Sequence, residues 1–353
     1  MTDRSASSVA KTARYTEMTP WRRLQRSTAA NVSVLFLVLL AGIAVASSLT
    51  GEGLNFYTQG NLAVLSQQIP VIAILAIGAG ILMIGGEFDL SVTGVFVMAS
   101  YLMALALNQW GWPLIAALAL GLASGTAVGI VNGLITLRLR VPSFIATLGS
   151  MFVVRGIVRY ISISPTTGQP DQINLNPGAT FQAIFSGHIG GPLYAQAVWL
   201  IIIALLAYLI LNRSPLGNHI FAVGGDREAA QKSGINVEAT KLIAFMICSL
   251  CAAFAGIMQA ARINMIDSAQ TLIGLELYAI AAAVIGGVYL SGGRGAVPGM
   301  VLGAALLVCI ESLLILIRAP GEYMPAFVGA MVIVSVVINS NAGAGASGRR
   351  SAL

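Results

Sequence analysis

Apolar residues run along this chain in blocks of about twenty, the length a bilayer core requires, separated by short polar stretches. The blocks predict about ten spans, at 31–49, 62–84, 92–108, 113–137, 142–160, 195–212, 241–261, 274–290, 296–317 and 323–339. The expected fold class is therefore an all-α polytopic membrane protein, because a helix satisfies its own backbone polar groups in lipid. A basic tail at 1–30 precedes the spans and a short one at 341–353 follows them, leaving 31–340 as one transmembrane unit. The polar lead and the first apolar run are both too long for a cleaved signal, despite an Ala44-Val45-Ala46 that resembles a cleavage site, and read as a retained first helix.

Two interruptions are long. At 213–240 the chain reads RSPLGNHIFAVGGDREAAQKSGINVEAT: a Pro/Gly start, a Gly-Gly turn, and a short charged helix that Gly234 stops. Asp226 is its expected N-cap, with Glu228 in the first turn and Lys232 four residues later, where a pair can form. So short a polar helix is marginal alone and gains stability by docking on something. At 161–194 lie Pro165, Pro170, Pro177, Pro192 and one acid, Asp171; a loop capping the bundle and a docking surface for an external partner are both open readings.

Composition agrees with the pattern: 57% of residues are hydrophobic and 9% charged, with a mean hydropathy of +0.86, which excludes an ordinary soluble domain. The net charge of +6 reads as membrane topology and not as affinity for nucleic acid. With the N-terminus placed in the cytosol and the spans alternating, fifteen of the nineteen Lys and Arg fall inside; Arg155, Arg159, Arg262 and Arg318 are the exceptions. This gives an N-in, C-in topology, puts 213–240 in the cytosol and leaves 161–194 outside. Cys248, Cys251 and Cys309 all sit within apolar runs and read as small buried hydrophobes.

Glycine is patterned as well. Gly121, Gly125, Gly129 and Gly133 recur every fourth residue, a stripe that lets another backbone approach closely in a membrane. A short echo links IGGEFDLS at 84–91 with IGGVYLS at 285–291.

The chain contains no Gly-Lys dipeptide, hence no phosphate-binding loop, and no HExxH or GxSxG motif. It is expected not to be an enzyme and to bind no cofactor or metal of its own. Charged and polar groups within spans are costly and become candidates for a substrate path: Glu87, Asp89, Ser91, Asn132, Arg155, Glu276 and Glu311. Each has a plainer reading. Asp89 or Ser91 can cap a helix, Asn132 can join helices, Arg155 and Arg159 can snorkel, and Glu311 can hydrogen-bond between helices.

Four blocks, GGEFDLSV, PSFIATLGSMFVVRGI, FAVGGDREAAQKSGINV and GLELYAIAAAVIGGVYLSGGRG, in this order resemble the ribose-type permease subunits of bacterial ABC importers, from about residue 30 to 340. The resemblance implies a type II-like importer permease in the bacterial inner membrane, moving a monosaccharide or polyol. It also implies a second permease copy or paralogue, cytosolic ATPase subunits carrying ATP and Mg, and a periplasmic sugar-binding protein. The cytosolic loop before span seven would supply the coupling helix, matching Gly224, Gly225, Asp226, Arg227, Glu228, Ala229, Ala230, Ser233, Gly234 and Ile235. Against the ribose pattern, Phe88, Thr93, Tyr278, Val288-Tyr289 and Glu311 are departures; Phe88 and Thr93 read as packing changes, and Tyr278 joins the path candidates. Another pentose, a hexose or a polyol fits as well as ribose. Two other readings remain, an ion-coupled secondary transporter using Asp89 or Glu311, and a non-transporting membrane scaffold.

Overall fold

The computed structural model describes residues 36–38, 40–43, 55–164, 167–175, 178–267, 274–320, 323, 325–331 and 333. The tails at 1–30 and 341–353 lie outside them. So does most of the expected first span at 31–49, although 36–38 and 40–43 within it are helical; residues 323, 325–331 and 333 of the last span are helical too.

Helices dominate: α1 (Gln59–Ile84), α2 (Val92–Asn108), α3 (Leu114–Arg138), α4 (Ser143–Ile161), α5 (Ala179–Ser186), α6 (Ala195–Arg213), α7 (Pro215–Gly225), α8 (Arg227–Lys232), α9 (Val237–Ile263), α10 (Leu275–Ile285) and α11 (Val297–Leu316). Six of these, α1, α3, α4, α6, α9 and α11, are long and apolar enough to cross a membrane; α2 and α10 are shorter apolar helices. The apolar blocks locate the helices well, and caps set their ends. Thr58 accepts the Asn61 N–H to start α1, and Asn236 accepts the Ala239 N–H, so α9 begins a turn before the apolar run.

α1 is the central helix. It packs against α9, α11, α10 and α6, and 78% of its apolar window is buried, against 22% for α3 and α6 at the periphery. A helix apolar all round belongs in such a place. The glycine stripe of α3 is a packing seam: a Cβ at Gly121 would lie 2.7 Å from Ala99 O on α2, and one at Gly129 2.7 Å from Phe245 O on α9.

Two expectations fail locally. The Pro/Gly start at 215–217 is not a turn but the first turn of α7, capped by Ser214 and with Pro215 at its first position. Ile220 of α7 is fully buried in the main core, with Leu216 and Phe221 packed beside it, so tertiary burial outweighs the glycines. The run expected at 274–290 yields only the 11 residues of α10, because Gly286 and Gly287 end it.

Segment 161–194 folds over one end of the bundle. β1 (Gln172–Asn174) pairs antiparallel with β4 (Met265–Asp267), and β2 (His188–Gly190) with β3 (Leu193–Tyr194). Phe181 and Phe185 of α5 bury themselves there, Phe185 stacking on Trp199 of α6 and tilting against Phe254 of α9. The capping reading accounts for these contacts. At the opposite end lie the α1–α2 break, α7, α8 and the loop after α10.

Candidate functional site

The α1–α2 break at Gly85–Ser91 is held by its neighbours. Phe88 N–H donates to Ser143 Oγ (3.2 Å) and Leu90 N–H to Thr147 Oγ1 (3.1 Å), two residues one turn apart on α4. Asp89, 2% exposed, accepts from the Ser91 N–H (2.7 Å) and the Ser91 hydroxyl (2.6 Å), and more distantly from Asn132 Nδ2 and Ser249 Oγ (both 3.4 Å). Neither residue caps α2 as expected: Ser91 stands at the N-cap but makes no side-chain cap bond, because its hydroxyl donates to Asp89 and accepts from Asn132 Nδ2 (2.8 Å). Glu87 is engaged elsewhere, in a 2.5 Å ion pair with Lys241 of α9.

Deeper in the bundle, Glu276 opens α10. At 11 residues this helix is about 16 Å long, half the hydrocarbon thickness, so its N-terminus stops inside the bundle. There the buried Glu276 carboxylate suits the positive end of the helix and accepts the Thr93 hydroxyl; Arg155 Nη2 lies 3.7 Å from it. Arg155 is thus not a snorkelling residue: its side chain is 20% exposed and turned inward, whereas Arg159 one turn on is exposed. Thr93 is more than a packing change, since it donates to Glu276. Tyr278 on α10 and Glu311 on α11 are both half-buried. Glu311 has no hydrogen-bond partner among the described residues, so the interhelical bond expected for it is not made to any of them.

Backbone approaches converge at the end of the bundle carrying α8. The two IGG echoes close their helices with the same three bonds: Gly85, Gly86 and Glu87 donate to Ile81, Met83 and Leu82, and Gly286, Gly287 and Val288 to Ala282, Val284 and Ala283. Both Gly86 (φ +80°) and Gly287 (φ +90°) take left-handed backbone. Gly293 N–H then donates to Ile84 O at 2.8 Å, and Gly224, at the end of α7, is wedged against the same carbonyl, where an added Cβ would come within 1.7 Å. One junction therefore joins α1, the loop after α10 and the segment leading into α8.

α8 projects from this junction. Asp226 Oδ1 caps it by accepting the Ala229 N–H (3.0 Å), Glu228 and Lys232 pair at 4.0 Å, and Gly234 ends it in left-handed backbone (φ +83°). Ala230 is buried against Val223 and Val237, with Ile235 packed on them, while Asp226, Arg227, Glu228, Ala229 and Ser233 stay exposed.

Residues 61–336 match the family described as "branched-chain amino acid transport system / permease component". The chain belongs to this family. It is similar to the ribose import permease protein of Escherichia coli (strain K12), 35% identical over 314 residues, 86% of this chain and 92% of that one. It is also similar to the autoinducer 2 import system permease protein of Enterobacter sp. (strain 638), 32% identical over 304 residues, 86% of this chain and 84% of that one. No solved structure matches.

In this permease the candidates named from sequence fall into groups. Asp89, Ser91 and Asn132 share one network, Arg155 and Glu276 form one pair, and Tyr278 and Glu311 stand on the neighbouring helices α10 and α11. Glu87 stands apart from Asp89, tied to α9. Sequence reasoning missed Lys241, Ser249, Ser143 and Thr147. A lone lysine at the start of a span, and hydroxyls four apart at the start of α4, were the available signals.

Proposed function

We propose that this chain is the membrane-spanning permease subunit of a binding-protein-dependent ABC importer that moves a monosaccharide or polyol across the bacterial inner membrane. Its arrangement is type II-like, with about ten spans and both termini in the cytosol. It works as a dimer with a second copy or paralogue, receives substrate from a periplasmic sugar-binding protein, and is driven by ATP and Mg on separate cytosolic ATPase subunits. The family match over residues 61–336 supports the transport role, and the two import permeases among its relatives support the substrate class.

The observation that carries the mechanism is the glycine junction. Gly224–Ile235 forms the coupling contact: Asp226, Arg227, Glu228, Ala229 and Ser233 meet the ATPase, Gly224, Gly225, Ala230 and Ile235 fix the segment to the bundle, and Gly234 ends the helix. Gly224 sits against Ile84 O at the end of the central helix and beside Gly293, so a displacement of α8 moves α1 and the loop after α10 together. Packed elements transmit such a rigid-body shift because they are not continuously deformable. It would tilt α1 and α10 and change access to the buried polar groups. Glu87, Asp89, Ser91, Asn132, Arg155, Glu276, Tyr278 and Glu311 form the polar set beside the path. Of these, we assign Arg155, Glu276, Tyr278 and Glu311 to contact with substrate hydroxyls, and Asp89, Ser91 and Asn132 chiefly to holding the break.

Glu228→Arg tests the coupling contact. The variant folds and inserts normally, because Glu228 is exposed and its pair with Lys232 contributes little, yet it retains less ATPase on co-purification and transports less. Unchanged co-purification together with unchanged uptake refutes the coupling role.

A further inference from the structure

Beside α8, where the α3–α4 loop meets the start of α9, a cavity of about 480 Å³ is lined by Glu87, Thr136, Arg140, Ser143, Arg227 and Glu238 among others. A second, more apolar cavity of about 220 Å³ shares the Leu137 and Glu238 walls and adds Leu134, Arg138, Asn236 and Leu242. Arg138, Arg140 and Arg227 are exposed and have no carboxylate partner among the described residues. Glu87 is neutralised by Lys241, so the linings of the two cavities hold three arginines and one other carboxylate, Glu238. Thr136 is 8% exposed and its hydroxyl has no hydrogen-bond partner. Arg140, at φ +57°, is the left-handed residue that ends α3 and turns the chain into the α3–α4 loop.

We propose that these two cavities form one site for an anionic phospholipid whose headgroup carries hydroxyls, of the phosphatidylglycerol type. The phosphodiester lies between Arg138 and Arg140, leaving Arg227 to the ATPase contact. A headgroup hydroxyl donates to Glu238 and another bonds Thr136 Oγ1. Glu238 is what argues against a bare phosphate, which it would repel, while a glycerol headgroup satisfies both a carboxylate and the arginines. The acyl chains continue along Leu134 and Leu242 past the exposed Leu139 (70%) and Ile243 (38%), large apolar side chains at the edge of a basic pocket. Basic pockets between helices on the cytosolic side suit anionic headgroups. The cytosolic placement, and the closeness to coupling through Arg227, rest on the function proposed above.

The test is native mass spectrometry of the assembled transporter solubilised with equal phosphatidylglycerol and phosphatidylcholine. The unsubstituted complex is expected to retain phosphatidylglycerol preferentially. Removing two arginines in Arg138→Gln/Arg140→Gln is expected to lower that preference by about thirtyfold, about fivefold per guanidinium. Thr136→Val, which keeps the side-chain shape and so the fold, also lowers retention. Equal retention of the two lipids, or an unchanged preference in both variants, overturns the site. Displacement of the lipid by inorganic phosphate alone overturns the lipid assignment in favour of a soluble anion. ATP-driven uptake by the unsubstituted complex, read in the same preparation, judges the transport reading separately.

Discussion

Glu87 and Lys241 are 154 positions apart in the chain and 2.5 Å apart in space, with only 14% and 7% of their side chains exposed. Removing one partner of such a pair strands the other. Lys241→Met is expected to destabilise the protein by about 3–5 kcal/mol, and the double variant Glu87→Gln/Lys241→Met by clearly less, as thermal unfolding in detergent would show. A double variant as unstable as the single one would mean that Lys241 matters for packing alone. The role proposed for the pair at Glu276 is different. Arg155→Gln is expected to leave Glu276 bonded to Thr93 and the fold intact, yet to cut uptake; uptake unchanged at every substrate concentration would remove Arg155 from the path.

Helix α3 shows what a membrane seam needs. Its glycines bring its backbone against α2 and α9, and Gly129→Val would push a branched side chain onto Phe245 O, 2.7 Å from the added Cβ. The expected cost is about 1–3 kcal/mol, read as a lowered unfolding temperature; a neutral outcome would show that the seam can open. This stripe was legible in the sequence because a four-residue glycine period has one physical reading in a helix. So was α8, whose cap Asp226, pair Glu228–Lys232 and stop at Gly234 are local signals. What was not legible is long-range. Nothing near Pro215 shows that Ile220 will be buried in the core and turn an expected loop into α7. Nothing near Arg155 announces Glu276, which lies beyond the β4 crossover, so snorkelling was the natural reading and was wrong. The α10 helix was overdrawn for a simpler reason, since apolar residues continue past the glycine pair that ends it.

At the scale of the molecule, two layers flank a core helix: a cap of short strands and aromatic residues at one end, and at the other a glycine junction from which α8 projects. The junction gives a further expectation. Gly224→Ala places a Cβ within 1.7 Å of Ile84 O, so the backbones must separate, and substrate-stimulated ATP hydrolysis by the assembled transporter is expected to fall more than binding of the ATPase does. In the proposed mechanism, transport is powered through that junction by another chain's ATP hydrolysis. Reconstitution into proteoliposomes with ATPase subunits and binding protein measures this directly. Sugar or polyol uptake is expected to require internal ATP and to survive collapse of every ion gradient; gradient-driven uptake by this chain alone would mean that no partner ATPase powers it.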